Sequence, residues 1–237
     1  MTESIEYHSE FYNKMNDSEQ WIRLSDGCYR SCWNCYCPQE KVYYDIPRIE
    51  RNKVVILDMN FLYAYPDPLL TIKILGSQKV DNKVVYYDFQ CGLDFVLINE
   101  PIARALKKGR FGRFNNKRKY ANGLRIAWDR GLNEKDDFIK TIKLLQSVGY
   151  KQIQIFMLVN GKISFNECIK KLLVLKDLKI EIADCWYDNQ KRGSVKPIYW
   201  TNEECIKFGR FCRQHNVAVK QKQYEWIEYL ETLKEND

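Results

Sequence analysis

Residues 27–38 read Gly27-Cys28-Tyr29-Arg30-Ser31-Cys32-Trp33-Asn34-Cys35-Tyr36-Cys37-Pro38 and hold four cysteines within ten positions. The stretch follows a short apolar run, Trp21–Leu24, that predicts a strand. Thiolates are soft ligands that suit iron–sulfur clusters and zinc. A tight loop of this kind can supply three sulfurs to three different irons, which leaves a fourth iron open to a small molecule. The stretch therefore predicts a metal-binding loop at the end of a strand.

Apolar, β-branched runs recur along the chain at intervals of roughly 30 residues, the length of one βα unit. They lie at Trp21–Leu24, Val54–Leu57, Val84–Tyr87, Leu124–Trp128, Ile153–Val159 and Ile180–Ala183. Segments with helical spacing or loops separate them. Strands that alternate with helices indicate a parallel sheet in an α/β fold, because parallel neighbours need crossover connections. An open doubly wound sheet and a whole or partial barrel both fit this pattern.

Helix starts are marked by capping residues. Ser164 with Glu167 and Thr201 with Glu204 have the spacing of capping boxes, and Asn133 is a candidate N-cap. Two further helices are predicted at Glu100–Lys108 and at Gln223–Leu233.

Polar residues follow each predicted strand. They are Asp58 and Asn60, Asp88 and Gln90, Asp129, Asn160 and Asp184. In parallel α/β folds the chemistry lies at the carboxyl ends of the strands. Asp and Asn also start turns after strands, but polar residues at all the ends favour a functional site there.

The spacing Cys28-x3-Cys32-x2-Cys35 resembles the CxxxCxxC signature of radical S-adenosylmethionine (radical SAM) enzymes, and its place after the first strand also matches. The resemblance covers roughly residues 20–190 and implies a partial (β/α)6, TIM-like barrel with parallel strands. It divides the chain into an N-terminal extension (1–20), a core domain (21–190) and a C-terminal helical segment (191–237) that closes the barrel.

The resemblance also implies the chemistry. A [4Fe–4S] cluster would be held by Cys28, Cys32 and Cys35, and S-adenosylmethionine would chelate the open iron through its amino and carboxylate groups. Reductive cleavage of the sulfonium C–S bond would give a 5′-deoxyadenosyl radical that abstracts hydrogen from a substrate. An electron donor such as flavodoxin or ferredoxin is an implied partner.

Residues near S-adenosylmethionine are carried over from the same resemblance. They are Trp33, Asn34, Tyr36, Asp58, Asn60, Arg125, Asp129, Asn160 and Asp184. Two departures stand out. Asp58-Met59-Asn60 occupies the place of a Gly-Gly-Glu-like motif, and Asn34 occupies a position that is usually aromatic.

The 237-residue chain carries a net charge of +7, and its basic residues are bunched, with eight Lys or Arg between Arg104 and Lys119. Phe111, Phe114 and Tyr120 interleave with these charges, as stacking contacts to nucleic acid would require. We expect a mobile loop here that binds an anionic substrate, such as nucleic acid or a nucleotide. The substrate-binding candidates are Asp88, Gln90, Arg110 and Arg113. A solvated basic surface is the simpler interpretation.

A cytoplasmic location is expected because the polar N-terminus lacks a secretory signal and no apolar run is long enough to span a membrane. In a reducing compartment, nine cysteines point to metal or redox chemistry rather than disulfides. An alternative is a zinc-binding, nucleic-acid-binding protein that uses the Cys28–Cys37 cluster and two basic blocks, the one between Arg104 and Lys119 and a second between Cys205 and Tyr224. A thioredoxin-like redox role for the Cys32-x2-Cys35 pair explains less, because that motif has no extra cysteines beside it.

Overall fold

The computed structural model describes residues 13–30, 37–115, 119–186 and 199–223. Within these ranges the helices are α1 (Phe61–Ala64), α2 (Pro68–Ser77), α3 (Glu100–Lys108), α4 (Lys135–Ser147), α5 (Phe165–Asp177) and α6 (Asn202–Gln221). The strands are β1 (Asn13–Met15), β2 (Gln20–Ile22), β3 (Ser25–Asp26), β4 (Val42–Tyr43), β5 (Lys53–Ile56), β6 (Lys79–Val80), β7 (Lys83–Val84), β8 (Tyr86–Phe89), β9 (Leu93–Asp94), β10 (Arg125–Ala127), β11 (Gln154–Val159) and β12 (Glu181–Trp186).

Two four-stranded sheets form the centre of the fold. The first has the order β1-β2-β5-β8 and the second has the order β9-β10-β11-β12. All pairings in these sheets are parallel except that of the edge strand β1 with β2. The predicted α/β class with parallel strands is therefore confirmed.

A single stretch of chain joins the two sheets. β8 pairs with β5, β9 pairs with β10, and only residues 90–92 separate β8 from β9. Gly92 has φ +82 in this connection, a conformation that glycine adopts without steric cost. The parallel strands thus follow one another in chain order, β2, β5, β8 with β9, β10, β11 and β12. This is the order of the six predicted βα units, and closure into a partial barrel stays a prediction.

The two faces of the parallel strands differ in burial. Along β11, Ile155, Met157 and Val159 are fully buried in the core, while Gln154, Phe156 and Leu158 are half-buried. Residues at alternate positions of a strand point to opposite sides. One face is therefore packed under the helices, and the other, here called the inner face, is partly open.

Capping residues begin three helices where the sequence predicts them. Asn99 caps α3, Ser164 caps α5, and Thr201 with Glu204 forms a complete capping box at α6. The predicted box at α5 is only half formed, because the Glu167 carboxylate accepts a hydrogen bond from the main-chain N–H of Leu132 instead.

Two element boundaries differ from the prediction. Asn133 is not an N-cap, because it lies in a 3-10 turn, Leu132–Glu134, and Glu134 precedes α4. The third strand runs from Tyr86 to Phe89 rather than from Val84, because Val84 pairs with Lys79 in a separate hairpin. The predicted helix at 223–233 lies outside the described residues beyond residue 223.

Helix α6 covers the outer edge of β12. The side chain of Asn216 accepts a hydrogen bond from the main-chain N–H of Ile182 and donates one to its carbonyl, at 2.9 and 2.8 Å. The buried His215 ring contacts the Ile180 carbonyl at 2.7 Å. These contacts satisfy backbone groups that an edge strand would otherwise expose. No helix in the described part of the chain combines the length and apolar character needed to cross a membrane.

Candidate functional site

Residues 28–38, here called the cysteine-rich loop, are closed at their base. The main-chain N–H of Cys28 donates to the Pro38 carbonyl at 2.9 Å, and β3 pairs antiparallel with β4 just outside it. Gly27 has φ +116, and a Cβ placed there would lie 2.5 Å from the Glu40 carbonyl oxygen. The loop base therefore requires glycine at this position. The predicted site residues Cys32, Trp33, Asn34, Cys35 and Tyr36 lie outside the described residues.

Cys28 opens into a cavity of ≈ 120 Å³, here called the cysteine cavity. Its walls come from segments that follow the parallel strands and from the cysteine-rich loop. They are Cys28, Arg30, Cys37, Met59, Asn60, Cys91, Gly92, Asp94, Phe95, Ala127, Asp129, Arg130 and Glu134. The cavity brings together three of the sequence-predicted site residues, Cys28, Asn60 and Asp129.

Asn60 links the end of β5 to the cysteine-rich loop. Its side-chain Nδ2 lies 3.2 Å from Cys28 Sγ and 3.2 Å from Asp94 Oδ2, and it donates to both. Its Oδ1 is buried without a hydrogen-bond partner among the described residues. Hydrogen bonds to a ligand sulfur orient the ligand and tune a bound metal. The Asn60 amide oxygen is a buried acceptor that no described group satisfies.

Arg30 fixes the loop from the opposite side. Its guanidinium donates to both carboxylate oxygens of Asp94, at 2.7 and 2.5 Å, and to Glu134 Oε1 at 2.7 Å. Burial opposes the charge, but these hydrogen bonds raise the pKa of Arg30 above its ordinary value. Glu134 Oε2 is buried without a hydrogen-bond partner among the described residues. Two residues of the cavity wall, Asn60 and Glu134, thus each carry a buried acceptor oxygen without a hydrogen-bond partner among the described residues.

Asp129 lies just after the end of β10, and its surroundings are fixed by the neighbouring strand β11 and by Lys171 of α5. Its Oδ1 accepts from the main-chain N–H of Leu158 at 3.0 Å, and burial raises the pKa of its carboxyl group. Behind it, the buried Lys171 ammonium donates to the carbonyls of Trp128 and Arg130 at 2.7 and 2.8 Å. Burial lowers the pKa of Lys171 to about 8. Lys171 thereby fixes the backbone on both sides of Asp129.

A second cavity of ≈ 500 Å³ opens on the inner face. Three predicted residues line it, namely Asp88, Gln90 and Arg125. The Arg125 guanidinium forms an ion pair with Asp88, whose other oxygen accepts from the main-chain N–H of Phe114 at 2.9 Å. Glu19, Trp21, Val55 and Phe156 complete the lining. We call this the inner-face cavity. Its lining is mainly aromatic and charged.

Other predicted residues have local roles. Asp58 is buried and accepts hydrogen bonds from the Leu24 N–H at 2.9 Å and the Ser25 hydroxyl at 2.5 Å. Burial raises its pKa to about 7. Asn160 is also buried and accepts from the main-chain N–H of Trp200 at 3.2 Å. Asp184 lies on β12 opposite Met157.

The basic segment is built differently from the predicted stacking loop. Phe111 and Phe114 are 0% and 3% exposed, so the prediction that they stack on bases is wrong. Their burial follows from pairing beside β8, where Phe111 stacks on Tyr87 with ring centroids 4.7 Å apart. Arg113 pairs with Glu181 at 3.2 Å. Arg110 has φ +61 and lies away from both cavities described above.

The residues of the cysteine cavity that the sequence analysis missed include Arg30, Cys91, Asp94 and Glu134. Cys91 and Asp94 follow the bend after β8, and a two-residue strand gives no periodic signal. Glu134 stands before a helix, where acidic residues are common. Arg30 could have been found from the sequence, because it lies between Cys28 and Cys32. A cationic side chain that is buried there needs acidic partners.

The predicted metal ligands lie partly outside the described residues. Among the residues that the structure describes, no three His, Cys, Asp or Glu side chains lie close enough to hold a metal ion. Two of the three predicted ligands, Cys32 and Cys35, belong to the undescribed part of the loop. The donor that is described, Cys28, has the chemistry of an iron–sulfur ligand, a thiol with an amide donor at its sulfur.

No protein-family model matches the sequence, and no curated protein matches it. Three solved structures of Streptococcus suis SuiB are similar to the chain. The complex with S-adenosylmethionine is 15% identical with a TM-score of 0.48, and the match covers 87% of this chain and 48% of that one. The complex with the precursor peptide SuiA is 16% identical with a TM-score of 0.46 and coverages of 83% and 46%. SuiB without a named ligand is 17% identical with a TM-score of 0.41 and coverages of 73% and 37%.

The chain thus spans about half the length of SuiB or less. TM-scores at this level do not establish a shared fold.

Proposed function

We propose that the chain is a radical SAM enzyme whose [4Fe–4S] cluster is held by Cys28, Cys32 and Cys35. One observation carries the proposal. Cys28 lies in one cavity with Asn60, Asp94 and Asp129, which stand at or just after the carboxyl ends of successive parallel strands. Sites of α/β folds lie at this edge of the sheet. In the proposed fold, the six parallel strands form a partial (β/α)6 barrel around the inner face.

The cysteine-rich loop fits an iron–sulfur cluster. Its ends are tied at Cys28 and Pro38, so Cys32 and Cys35 belong to the same closed loop as Cys28. Asn60 donates to the Cys28 sulfur, and hydrogen bonds to ligand sulfurs tune such clusters. When bound, the cluster supplies one electron for cleavage of S-adenosylmethionine, which yields a hydrogen-abstracting radical.

The cavity walls suit the amino group of S-adenosylmethionine. Asn60 Oδ1 and Glu134 Oε2 are buried acceptors without hydrogen-bond partners among the described residues, and such groups are costly unless a ligand satisfies them. We assign them to the N–H groups of the methionine amino group, which would donate to these oxygens while its nitrogen binds the open iron. Asn60 takes this role in preference to Asp58, whose carboxylate oxygens already accept from Leu24 and Ser25.

The inner-face cavity is the proposed substrate site. Arg125 and Ala127 are alternate residues of β10, so they share the inner face, and Ala127 lines the cysteine cavity while Arg125 lines the inner-face cavity. Because the two cavities lie along the same face of β10, a substrate in the inner-face cavity would lie beside S-adenosylmethionine in the cysteine cavity. Asp88 and Arg125 would orient polar groups, and Trp21 and Phe156 would hold an apolar or aromatic part. Flavodoxin or ferredoxin as electron donor belongs to the same proposal.

The test is anaerobic reconstitution with iron and sulfide, followed by S-adenosylmethionine and dithionite, with 5′-deoxyadenosine as the product measured. The wild type should form the nucleoside and bind four irons, and Cys28→Ala, Cys32→Ala and Cys35→Ala should each abolish both. Cys37→Ala is the matched control, because Cys37 belongs to the same loop and lines the same cavity. It should retain the cluster and the product.

Zinc binding is the contrary outcome. A colourless protein with one tight zinc, lost equally in Cys37→Ala and Cys32→Ala, would contradict the radical SAM proposal. It would favour four-cysteine zinc coordination.

A further inference from the structure

A third hollow lies on the helix-covered side of the fold, between α2 and α3. It measures ≈ 730 Å³ and is here called the outer groove. It is formed by the later turns of α2, by α3 and by the residues that follow each helix, including Lys79, Val84 and Arg110. None of its lining residues lines the cysteine cavity or the inner-face cavity. The outer groove is therefore separate from the proposed chemistry.

The rim of the outer groove is strongly cationic. Five basic residues line it, Lys73, Lys79, Arg104, Lys108 and Arg110, and the lining includes no carboxylate. Arg104 pairs with the exposed Glu100 at 2.6 Å. Within the described ranges the other four form no ion pair with a carboxylate. Unneutralised cations gathered around one hollow attract an anionic partner.

The floor of the outer groove is aliphatic. The half-buried Leu69 and Val84 provide its accessible part, the buried Ile72 and Ala105 lie beneath them, and no aromatic ring lines the groove. Gly76 and Gly109 let the two helices approach closely, because a Cβ on Gly76 would lie 2.6 Å from the Gly109 Cα. The groove thus combines an apolar floor with a basic rim. α2 also exposes Leu70 and Ile74 on its neighbouring face, at 52% and 39%.

We propose that the outer groove binds an acidic amphipathic segment of a protein partner. Aliphatic side chains of the segment would fill the floor, and its carboxylates would pair with the lysine and arginine rim. Amphipathic helices bind in apolar grooves in this way, with anchors at i, i+3, i+4 and i+7. A single-stranded nucleic acid fits less well, because bases stack on exposed aromatic rings, and the groove has none.

The experiment is a phage-display selection on the full chain. The probe is a library of 16-residue peptides with Glu and Leu fixed at helical spacing and the other positions random. A matched library carries Lys in place of Glu. Enriched peptides are then synthesised with fluorescein, and their affinities are measured by fluorescence anisotropy beside a 20-nucleotide single-stranded RNA.

Two variants test the site of binding. The double variant Lys73→Glu, Lys108→Glu reverses the charge at two positions of the rim. It should raise the Kd of the acidic peptide about tenfold or more. Lys135→Glu with Lys140→Glu makes the same charge change at exposed positions of α4, and it should leave the Kd within about twofold. Leu69→Gln should weaken the peptide but not the RNA, since it changes only the floor. Circular dichroism and thermal unfolding check that each variant is folded.

Three results would overturn the proposal. They are enrichment from the Lys library as strong as from the Glu library, equal losses in the rim and α4 variants, and RNA binding that is tighter than peptide binding and depends on Lys73 and Lys108. A failure of 5′-deoxyadenosine formation would leave this proposal standing, because the outer groove shares no residue with the cysteine cavity.

Discussion

Asn60 Nδ2 lies 3.2 Å from Cys28 Sγ and donates a hydrogen bond to it, so the chain after β5 is tied directly to the cysteine-rich loop. The same nitrogen reaches Asp94 Oδ2 at 3.2 Å. One amide thus connects segments that follow three separate strands. Cys28, the proposed cluster ligand, is thus positioned by the sheet as well as by its own loop.

Asn60→Leu should therefore weaken the cluster. The substitution keeps the volume but removes the donor at sulfur, and partners of this kind typically change metal affinity or activity about 10–100-fold. We expect faster iron loss to a chelator and a lower reduction potential, since the thiolate loses a stabilising donor. Iron content and redox titration by electron paramagnetic resonance measure both.

The control for Asn60→Leu is Asn216→Leu. Asn216 is another side-chain amide that ties two elements, α6 and β12, far along the chain. Its loss should lower the free energy of unfolding without a change in iron retention. Equal iron loss in the two variants would mean that general destabilisation, not the bond to sulfur, explains the result.

Arg30→Ala should destabilise the fold strongly. It leaves the buried Asp94 and the half-buried Glu134 without their guanidinium partner. Removing one member of a buried ion pair costs roughly 3–5 kcal/mol. Arg30→Lys keeps the charge but cannot reach both carboxylates with a planar fork, so an intermediate loss is expected. Urea unfolding followed by tryptophan fluorescence measures the free energies.

Arg104→Ala is the matched control for Arg30, because Arg104 pairs with Glu100 at an exposed site. Exposed pairs contribute about 0–1 kcal/mol. A loss at Arg30 no larger than at Arg104 would contradict the view that Arg30 anchors the loop.

Much of the fold was predictable because buried strands and helices place apolar residues at regular intervals in the sequence. All six predicted strands overlap observed ones, namely β2, β5, β8, β10, β11 and β12, and the capping residues Ser164 and Thr201 begin their helices. The third strand was harder. It bends at Gly92, so its second part, β9, contributes only two residues and shows no alternation.

The site was predictable only where a residue type carries the chemistry. Cys28, Asn60 and Asp129 meet in one cavity, as their places after successive strands indicate. Asp58 has an equally suitable position in the sequence, but its carboxylate accepts hydrogen bonds from the Leu24 N–H and the Ser25 hydroxyl. Sequence spacing does not show which of two neighbouring polar residues points into the site and which satisfies backbone groups.

Gly27→Ala should disrupt the base of the cysteine-rich loop. The residue has φ +116, and the added Cβ would meet the Glu40 carbonyl oxygen at 2.5 Å. Strained backbone of this kind costs on the order of 1–3 kcal/mol before the clash is counted. Gly149→Ala is the control, because Gly149 has φ +98 but its nearest neighbour would lie 3.5 Å away. Only Gly27→Ala should also reduce iron incorporation; a loss of iron in Gly149→Ala of the same size would refute the role assigned to the loop base.

The stability of the protein should depend on pH through Asp58. Burial raises its pKa in the folded state from 3.8 to about 7, so the folded state holds a proton that the unfolded state releases. The stabilisation from this proton is complete below pH 3.8 and is lost as the pH rises towards 7, with a total on the order of 4 kcal/mol.

The variant Asp58→Asn resembles the protonated carboxyl group at every pH. Its amide can accept from the Leu24 N–H and donate to the Ser25 hydroxyl, so the local hydrogen bonds are kept. Relative to this variant, the wild type should lose free energy of unfolding between pH 4 and pH 7 in urea titrations. Asp136→Asn, at an exposed position of α4, controls for the loss of one acidic charge. A difference between wild type and Asp58→Asn that stays constant across this range would show that Asp58 is ionised in the folded protein, with its charge stabilised by the Leu24 and Ser25 donors.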